Sequence, residues 1–180
     1  METASSVPIL STIPTMSDPS PLSSELPAKG FLEEVSSEHR SFLACFGRFL
    51  RPENGHVLIE EGDRQESLYV ILSGTLHIVS ATSNRSVLLA TLGEGDSIGE
   101  INLFDPATAS ATAIFRSSGL VWALSREELD AFQAADPVAA VAILRGLLRQ
   151  VSKRIRAMNE KLATAEQRAS FHNFWSTEAS

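Results

Sequence analysis

The sequence predicts a mainly β fold with flanking helices: a β-barrel or jelly roll that continues into a long C-terminal dimerisation helix. Three patterns predict it, namely short apolar runs separated by turn residues, a capping box after the last run, and an unbroken heptad pattern beyond it. With 180 residues and 43% hydrophobic content, the chain is long enough to bury one core.

The first 28 residues are rich in Ser, Thr and Pro and show no apolar periodicity. Such a segment buries too little apolar surface to offset the entropy of ordering it, so we expect residues 1–28 to be a disordered tail. The remaining divisions that we expect are a barrel with short helices over 29–136, a coiled-coil-type helix over 137–170 and a short aromatic tail over 171–180.

Apolar residues between Phe31 and Phe49 are spaced as in a helix, and Ser37 is the predicted N-cap of its second turn. Beyond Pro52 the pattern changes to short β-type runs bounded by Gly, Asn and Ser. The predicted strands are His56–Glu60, Leu68–Leu72, Thr75–Ser80, Ser86–Leu92, Ala111–Phe115 and Leu120–Leu124.

Helical signals return at Ser125, where Ser and Glu128 have the spacing of a capping box. This short helix is expected to end near Ala135. The pair Asp136–Pro137 then supplies an N-cap followed by proline at the first helical position, which predicts that a second helix begins there.

The long helix carries an apolar seam with alternating spacings of three and four, which is typical of a left-handed coiled coil. The pattern predicts a homodimer, and an amphipathic helix packed within one chain is the alternative. Ile143 and Leu147 lie beside the seam and are expected to pack on the barrel of the same chain. The predicted dimer interface consists of Val141, Leu144, Leu148, Val151, Ile155, Met158 and Leu162.

Composition narrows the class of protein. The net charge of −7 argues against a dedicated nucleic-acid binder, because neutralising phosphates requires a basic surface. Cys45 is the only cysteine, so an intrachain disulfide is impossible and a reducing cytoplasm is expected. We find neither an apolar run of about 18 residues nor a signal-peptide pattern, so no membrane association is expected.

Two motifs resemble those of cyclic-nucleotide-binding domains, the family of catabolite-activator-type regulators, kinase regulatory subunits and gated channels. The first comprises Leu58–Asp63 and Leu68–Gly74, with Gln65 where the family favours a small residue. This motif implies the fold and carries no information about the ligand.

The second motif comprises Ile98–Phe104 and Ala109–Thr112 and resembles the phosphate-binding cassette. In the family, a glutamate takes the ribose 2′-hydroxyl, backbone amides face the phosphate and an arginine holds its charge. The resemblance assigns the glutamate role to Glu100, but Ala109 stands in place of the arginine, a loss of about 1.5 to 3 kcal/mol. The implied pocket residues are Gly99, Glu100, Ile101, Asn102, Leu103, Ala109, Ser110, Ala111 and Thr112.

Two hypotheses follow from this resemblance. The first is a non-enzymatic regulatory module without a cofactor, which binds cyclic nucleotides weakly or not at all and acts through a protein partner. The second is a genuine receptor for cyclic AMP or cyclic GMP that uses Gly99, Glu100, Ser110 and the cassette amides despite Ala109. Arg116 and Arg85 are the candidates for a substitute cation, although the motif positions neither of them. About ten residues follow Ala169, too few for the helix-turn-helix of the family's transcription factors, so direct DNA binding is not expected.

A third and remote hypothesis is a serine hydrolase. The run Gly95–Gly99 matches the G-x-S-x-G pattern of a nucleophile elbow, with Ser97 as nucleophile and Asp130 and His172 as partners. The chain lacks the alternating strands and helices that this elbow requires. The four histidines have no metal-ligand spacing, so no metal site is expected.

Overall fold

The computed structural model describes residues 26–82 and 85–177, with side chains up to Thr164 and without those of 81 and 82. Most of the predicted tail therefore lies outside the described residues. Leu26, however, belongs to the range expected to be disordered, and it is fully buried in the core. The part of the chain that packs on the domain thus begins earlier than residue 29.

The lead-in segment is shorter and more divided than the apolar spacing predicts. A 3₁₀ helix, Gly30–Leu32, is followed by helix α1, Ser37–Ala44. The backbone N–H of His39 donates to Ser36 Oγ at 3.2 Å, so Ser36 rather than Ser37 caps α1. Phe49 lies in a strand and not in this helix.

In the described residues, ten strands form two four-stranded sheets and one two-stranded sheet, and all pairs are antiparallel. The six predicted strands are confirmed with small shifts at their ends, whereas four strands of two or three residues were not predicted. The strands are β1 Arg48–Leu50, β2 Val57–Ile59, β3 Arg64–Gln65, β4 Ser67–Ser73, β5 Leu76–Thr82, β6 Arg85–Leu92, β7 Ser97–Ile98, β8 Ala107–Thr108, β9 Thr112–Phe115 and β10 Leu120–Ser125.

The barrel core lies between the sheet β1-β10-β4-β7 and the sheet β2-β9-β5-β6. Alternation along β9 buries Ala113 and Phe115 and leaves Thr112 and Ile114 partly exposed. A second core packs the helices on the first sheet around Trp122, whose indole N–H donates to the carbonyl of Ala44 at 3.3 Å. This jelly roll with flanking helices is the predicted fold class.

Helix α2, Glu100–Phe104, interrupts the strands, and two further helices follow β10. Helix α3, Arg126–Ala135, begins with the predicted capping box of Ser125 and Glu128. Helix α4, Pro137–Thr177, begins with Asp136, whose Oδ1 accepts from the backbone N–H of Ala139 at 2.9 Å. The backbone of residues 171–177 continues α4, where a separate short tail was expected.

The first half of α4 packs on the barrel and on the 3₁₀ helix. Ile143 and Leu147 are buried in the helix-side core, as predicted. Gly146 contacts the backbone of Phe31 so closely that a Cβ would collide with its carbonyl oxygen. The absence of a side chain at residue 146 therefore allows the N-terminal segment to lie directly against α4.

Candidate functional site

The candidate site is built around α2, whose first turn follows directly from β7. Gly99 precedes the helix with φ of +87°, a left-handed conformation that favours glycine. A Cβ at this position would also collide with the carbonyl oxygen of Ser67 in β4. The glycine of the predicted cassette is thus required for both its backbone conformation and its contact with the neighbouring strand.

Gln65, the departure from the first family motif, is buried beside this glycine. Its side-chain amide donates to the Ser67 carbonyl at 2.8 Å, and its Nε2 lies 3.0 Å from the position of a Cβ on Gly99. Through β3, it also pairs with Ala107 in β8. The larger residue therefore fills and closes the space between β4 and the cassette.

The loop after α2 is held by hydrogen bonds that need no arginine and no ligand. Asn102 Nδ2 donates to the carbonyl of Ala107 at 2.8 Å. The N–H of Ala109 donates to the Asp63 carbonyl, and the N–H of Gly62 donates to the Ala109 carbonyl, each at 2.8 Å. The methyl of Ala109 packs against the barrel core. Backbone and Asn102 hydrogen bonds thus hold this loop without a cation from the loop itself.

The other predicted pocket residues differ in exposure. Leu103 is buried, and Ile101 on the same helix is exposed. Ser110 is exposed and Ala111 is half-buried. Thr112 accepts the backbone N–H of Glu61 on its Oγ1 at 3.1 Å. Of the predicted pocket residues, Ser110 therefore offers the accessible hydroxyl.

Glu100 is paired with an arginine that sequence reasoning did not identify. Its carboxylate is 6% exposed, and Oε1 accepts from Arg154 Nη1, while Arg154 Nη2 donates to the carbonyl of Ser97. Arg154 belongs to α4, 54 residues further along the chain. No local sequence pattern indicates this pair. In the sequence, Arg154 is only one of several arginines that lie beside the heptad seam.

Next to this pair, a second polar side chain of α4 reaches β7. Gln150 Nε2 donates to Ser97 Oγ at 3.1 Å. Two buried oxygens, Glu100 Oε2 and Gln150 Oε1, have no hydrogen-bond partner among the described residues. Because an unpartnered buried oxygen is unfavourable, these atoms mark places where a further donor would be stabilising.

The C-terminal end of α2 is held by Arg126 at the start of α3. Its Nε donates to the carbonyl of Leu103 at 3.0 Å, and its Nη2 donates to the carbonyl of Phe104 at 2.7 Å. These are two of the carbonyls that a helix end leaves without intrahelical partners. Helix α2 is thus held by one arginine at each end, supplied by α3 and α4.

The two arginines considered as substitute cations lie at opposite ends of the sheet. Arg116 follows the last residue of β9, whereas the cassette joins the first, Thr112. In β5, Val79 pairs with Thr112, so this end of β5 lies beside the cassette. Arg85 pairs with Thr82, three residues further along β5 in the same direction. Arg85 is therefore on the cassette side of the sheet, and Arg116 is not.

The hydrolase hypothesis is wrong on geometry. Ser97 is fully buried in β7, and its Oγ accepts from Gln150. A nucleophile elbow requires an exposed hydroxyl above a strand-to-helix turn. Asp130 is exposed on α3, and the side chain of His172 lies outside the described residues.

The predicted dimer seam is largely open to solvent in the single chain. Val141, Leu148, Ile155, Met158 and Leu162 are 47% to 69% exposed, and Leu144 and Val151 are half-buried. Within residues 26–82 and 85–177, no helix is long and apolar enough to cross a membrane. Among the side chains that the structure describes, no group of acidic, His or Cys residues is arranged to hold a metal ion.

Known proteins share this sequence pattern and this fold. Residues 50–136 match the cyclic nucleotide-binding domain family. The CRP-like cAMP-activated global transcriptional regulator of Mycobacterium tuberculosis is 33% identical over 129 residues, which cover 68% of this chain and 55% of that protein. The chain thus spans little more than half the length of this curated relative.

Two solved structures show the same architecture. A cyclic nucleotide-binding domain from Methylobacillus flagellatus superposes with a TM-score of 0.68 at 24% identity, over 72% of this chain and 74% of that one. The N-terminal domain of a transcriptional regulator from Streptomyces coelicolor superposes with a TM-score of 0.63 at 27% identity, over 72% and 92%.

Proposed function

Through residues 50–136 the chain belongs to the cyclic nucleotide-binding domain family, and from this premise we propose that it is a regulatory module with a degenerate cassette. It binds cyclic nucleotides weakly or not at all, has no enzymatic activity, and acts as a homodimer on a protein partner. Its single cysteine and its net charge of −7 fit a cytoplasmic protein that does not bind nucleic acid directly.

One observation carries the proposal: the cassette contains no cation of its own. Between Ser97 and Thr112 there are two acidic residues, Glu100 and Asp105, and no Lys or Arg. At the position of the family's arginine, the methyl of Ala109 packs on apolar side chains. A cyclic phosphate would therefore receive no charge-assisted hydrogen bond from this loop.

The exposed seam of α4 supports the dimer. A row of apolar side chains at heptad spacing, each about half exposed or more, is unfavourable in water and suits a second helix with the same row. In a symmetric pair, each copy would cover the seam of the other.

Calorimetric titration with cyclic AMP and cyclic GMP up to millimolar concentration tests the cassette. We expect no saturable binding by the wild type below about 1 mM. Ala109→Arg should bind about 10- to 100-fold more tightly, because it restores one charge-assisted contact. Thr108→Arg adds the same charge at the neighbouring exposed position and should leave binding unchanged.

A second candidate function, a genuine cyclic-nucleotide receptor, is favoured by Glu100 Oε2. This buried carboxylate oxygen has no partner in the described structure and could accept a ligand hydroxyl. Micromolar binding by the wild type in the same titration would establish the receptor and refute the degenerate cassette. Failure of both wild type and Ala109→Arg to bind would mean that the pocket differs from a functional cassette at other residues besides Ala109.

A further inference from the structure

Helix α4 leaves the barrel at one identifiable residue. Up to Arg154, the helix contributes buried or half-buried side chains in every turn, including Ile143, Leu147 and Gln150. Every described side chain from Ile155 to Thr164 is exposed. Arg154 is therefore the last residue of α4, within the part whose side chains are described, that contacts the barrel.

The partner of Arg154 at this exit point is the cassette glutamate. Arg154 contacts Glu100 Oε1 and the Ser97 carbonyl, and so joins α4 to both the end of β7 and the start of α2. The Glu100 side chain is 6% exposed, and the Arg154 side chain is 36% exposed. Removing either partner would leave a buried or partly buried charge uncompensated, which is far less favourable than losing a surface pair.

The other ion pairs near α4 do not have this character. Arg149 with Glu34, and Lys29 with Glu94, are pairs in which every side chain is about half exposed. Exposed pairs of this kind contribute little to stability because water and salt screen them. The contact of Arg154 with Glu100 differs from these pairs in that one of its members is nearly buried.

We propose that Arg154 is a positioning residue that anchors α4 to the cassette through Glu100 and so sets the direction in which the exposed half of α4 leaves the barrel. In this chain the glutamate that the family uses for a ligand serves as an attachment point for the dimer helix. The effect of the Arg154 anchor on the dimer rests on the proposed function, whereas the anchoring of α4 to the cassette does not.

Hydrogen exchange of the ligand-free protein, followed by mass spectrometry on peptides covering residues 148–164, tests the anchor. Glu100→Gln and Arg154→Gln should each accelerate exchange in the segment 148–158 by about 10- to 100-fold, because each removes the same charge-assisted contact. The double variant should exchange no faster than the faster single variant. Glu94→Gln, which breaks only the exposed pair with Lys29, is the matched control and should behave as wild type.

Unchanged exchange in both single variants, or additive effects in the double variant, would overturn the proposal. Arg154→Lys guards against variants that fail to fold, since it keeps the charge but not both contacts of the guanidinium. It should give intermediate exchange, and wild-type exchange in this variant would equally contradict a guanidinium anchor.

Sedimentation of the same variants extends the test to the dimer. Because Glu100 is not in the seam, a change in the dimer dissociation constant in Glu100→Gln would require transmission through Arg154. A dimer unaffected by either variant would refute the effect on helix direction at the seam. A chain that is monomeric throughout would refute the proposed dimer, while the exchange experiment would still decide the anchor.

Discussion

The two halves of α4 carry similar apolar periodicity, but they differ in how many apolar side chains they bury within the same chain. In the first half, Ile143 and Leu147 are buried against the barrel and the N-terminal segment of the same chain. In the second half, Ile155, Met158 and Leu162 are 53% to 68% exposed. The seam itself is largely exposed in both halves, so the halves differ in the residues beside the seam, which are buried only in the first half.

The change between the halves occurs at Arg154. Gly146 permits close packing in the first half, and Arg154 ends the contact with the barrel. Beyond this point, only the seam remains apolar, so the second half has no further surface to place on its own barrel. Three variants of α4 and its N-cap probe this division, from the largest expected effect to the smallest.

Leu148→Asp should have the largest effect, on the dimer. Two copies of Leu148 are expected to meet in the seam, so losing both apolar contacts amounts to about 3 to 6 kcal/mol, or a hundredfold or more in dissociation constant. Analytical ultracentrifugation measures this. Ala157→Asp places the same charge on another exposed face of α4 and should leave the dimer intact. A dimer that persists in Leu148→Asp would contradict the seam.

Ile143→Ala should destabilise each chain by about 2 to 5 kcal/mol, because it leaves a cavity in the helix-side core. Urea unfolding at a concentration below that of dimer formation measures the loss. Leu162→Ala, in the exposed half, should change the unfolding free energy of the single chain by less than about 0.5 kcal/mol. Equal losses in the two variants would mean that the halves do not differ as described.

Asp136→Ala should have the smallest effect, about 1 kcal/mol, since it removes the side-chain acceptor for the N–H groups of Val138 and Ala139. Thermal unfolding of the variant measures it. Asp136→Ser retains a capping oxygen and should recover most of the stability. A loss as large as that of Ile143→Ala would indicate that Asp136 has a role beyond capping.

Local patterns predicted most of the fold. The capping box at Ser125, the start of α4 and the six longer strands depend on neighbours within a few residues, which the sequence shows directly. Strands β3, β7 and β8 have two residues each and are too short to display an alternation, so they could not be recognised. Ser36 and Ser37 are equally good caps by residue type, and only the backbone conformation distinguishes them.

The candidate site was predicted less completely, because part of it depends on contacts between residues that are far apart in the sequence. Gly99, Glu100 and the loop to Thr112 are contiguous and were recognisable as a motif. Arg154 reaches the cassette, and Gln150 reaches Ser97 beside it, only because α4 packs on the barrel, and no short-range signal indicates such contacts. Gln65 was noticed only as an unexpected residue, and its role depends on the close approach of Ser67 to Gly99.

The contact between Gly146 and Phe31 means that the N-terminal segment and α4 belong to the same packed unit as the barrel. A fragment cut at the family match, residues 50–136, would lack Leu26, Phe31, Leu32 and the inner face of α4, and so would expose the helix-side core that surrounds Trp122. A fragment of this domain should therefore keep at least the described residues from Leu26 through Arg154, which contact the core and the barrel. A fragment that lacks these residues should aggregate, because its helix-side core is exposed to water.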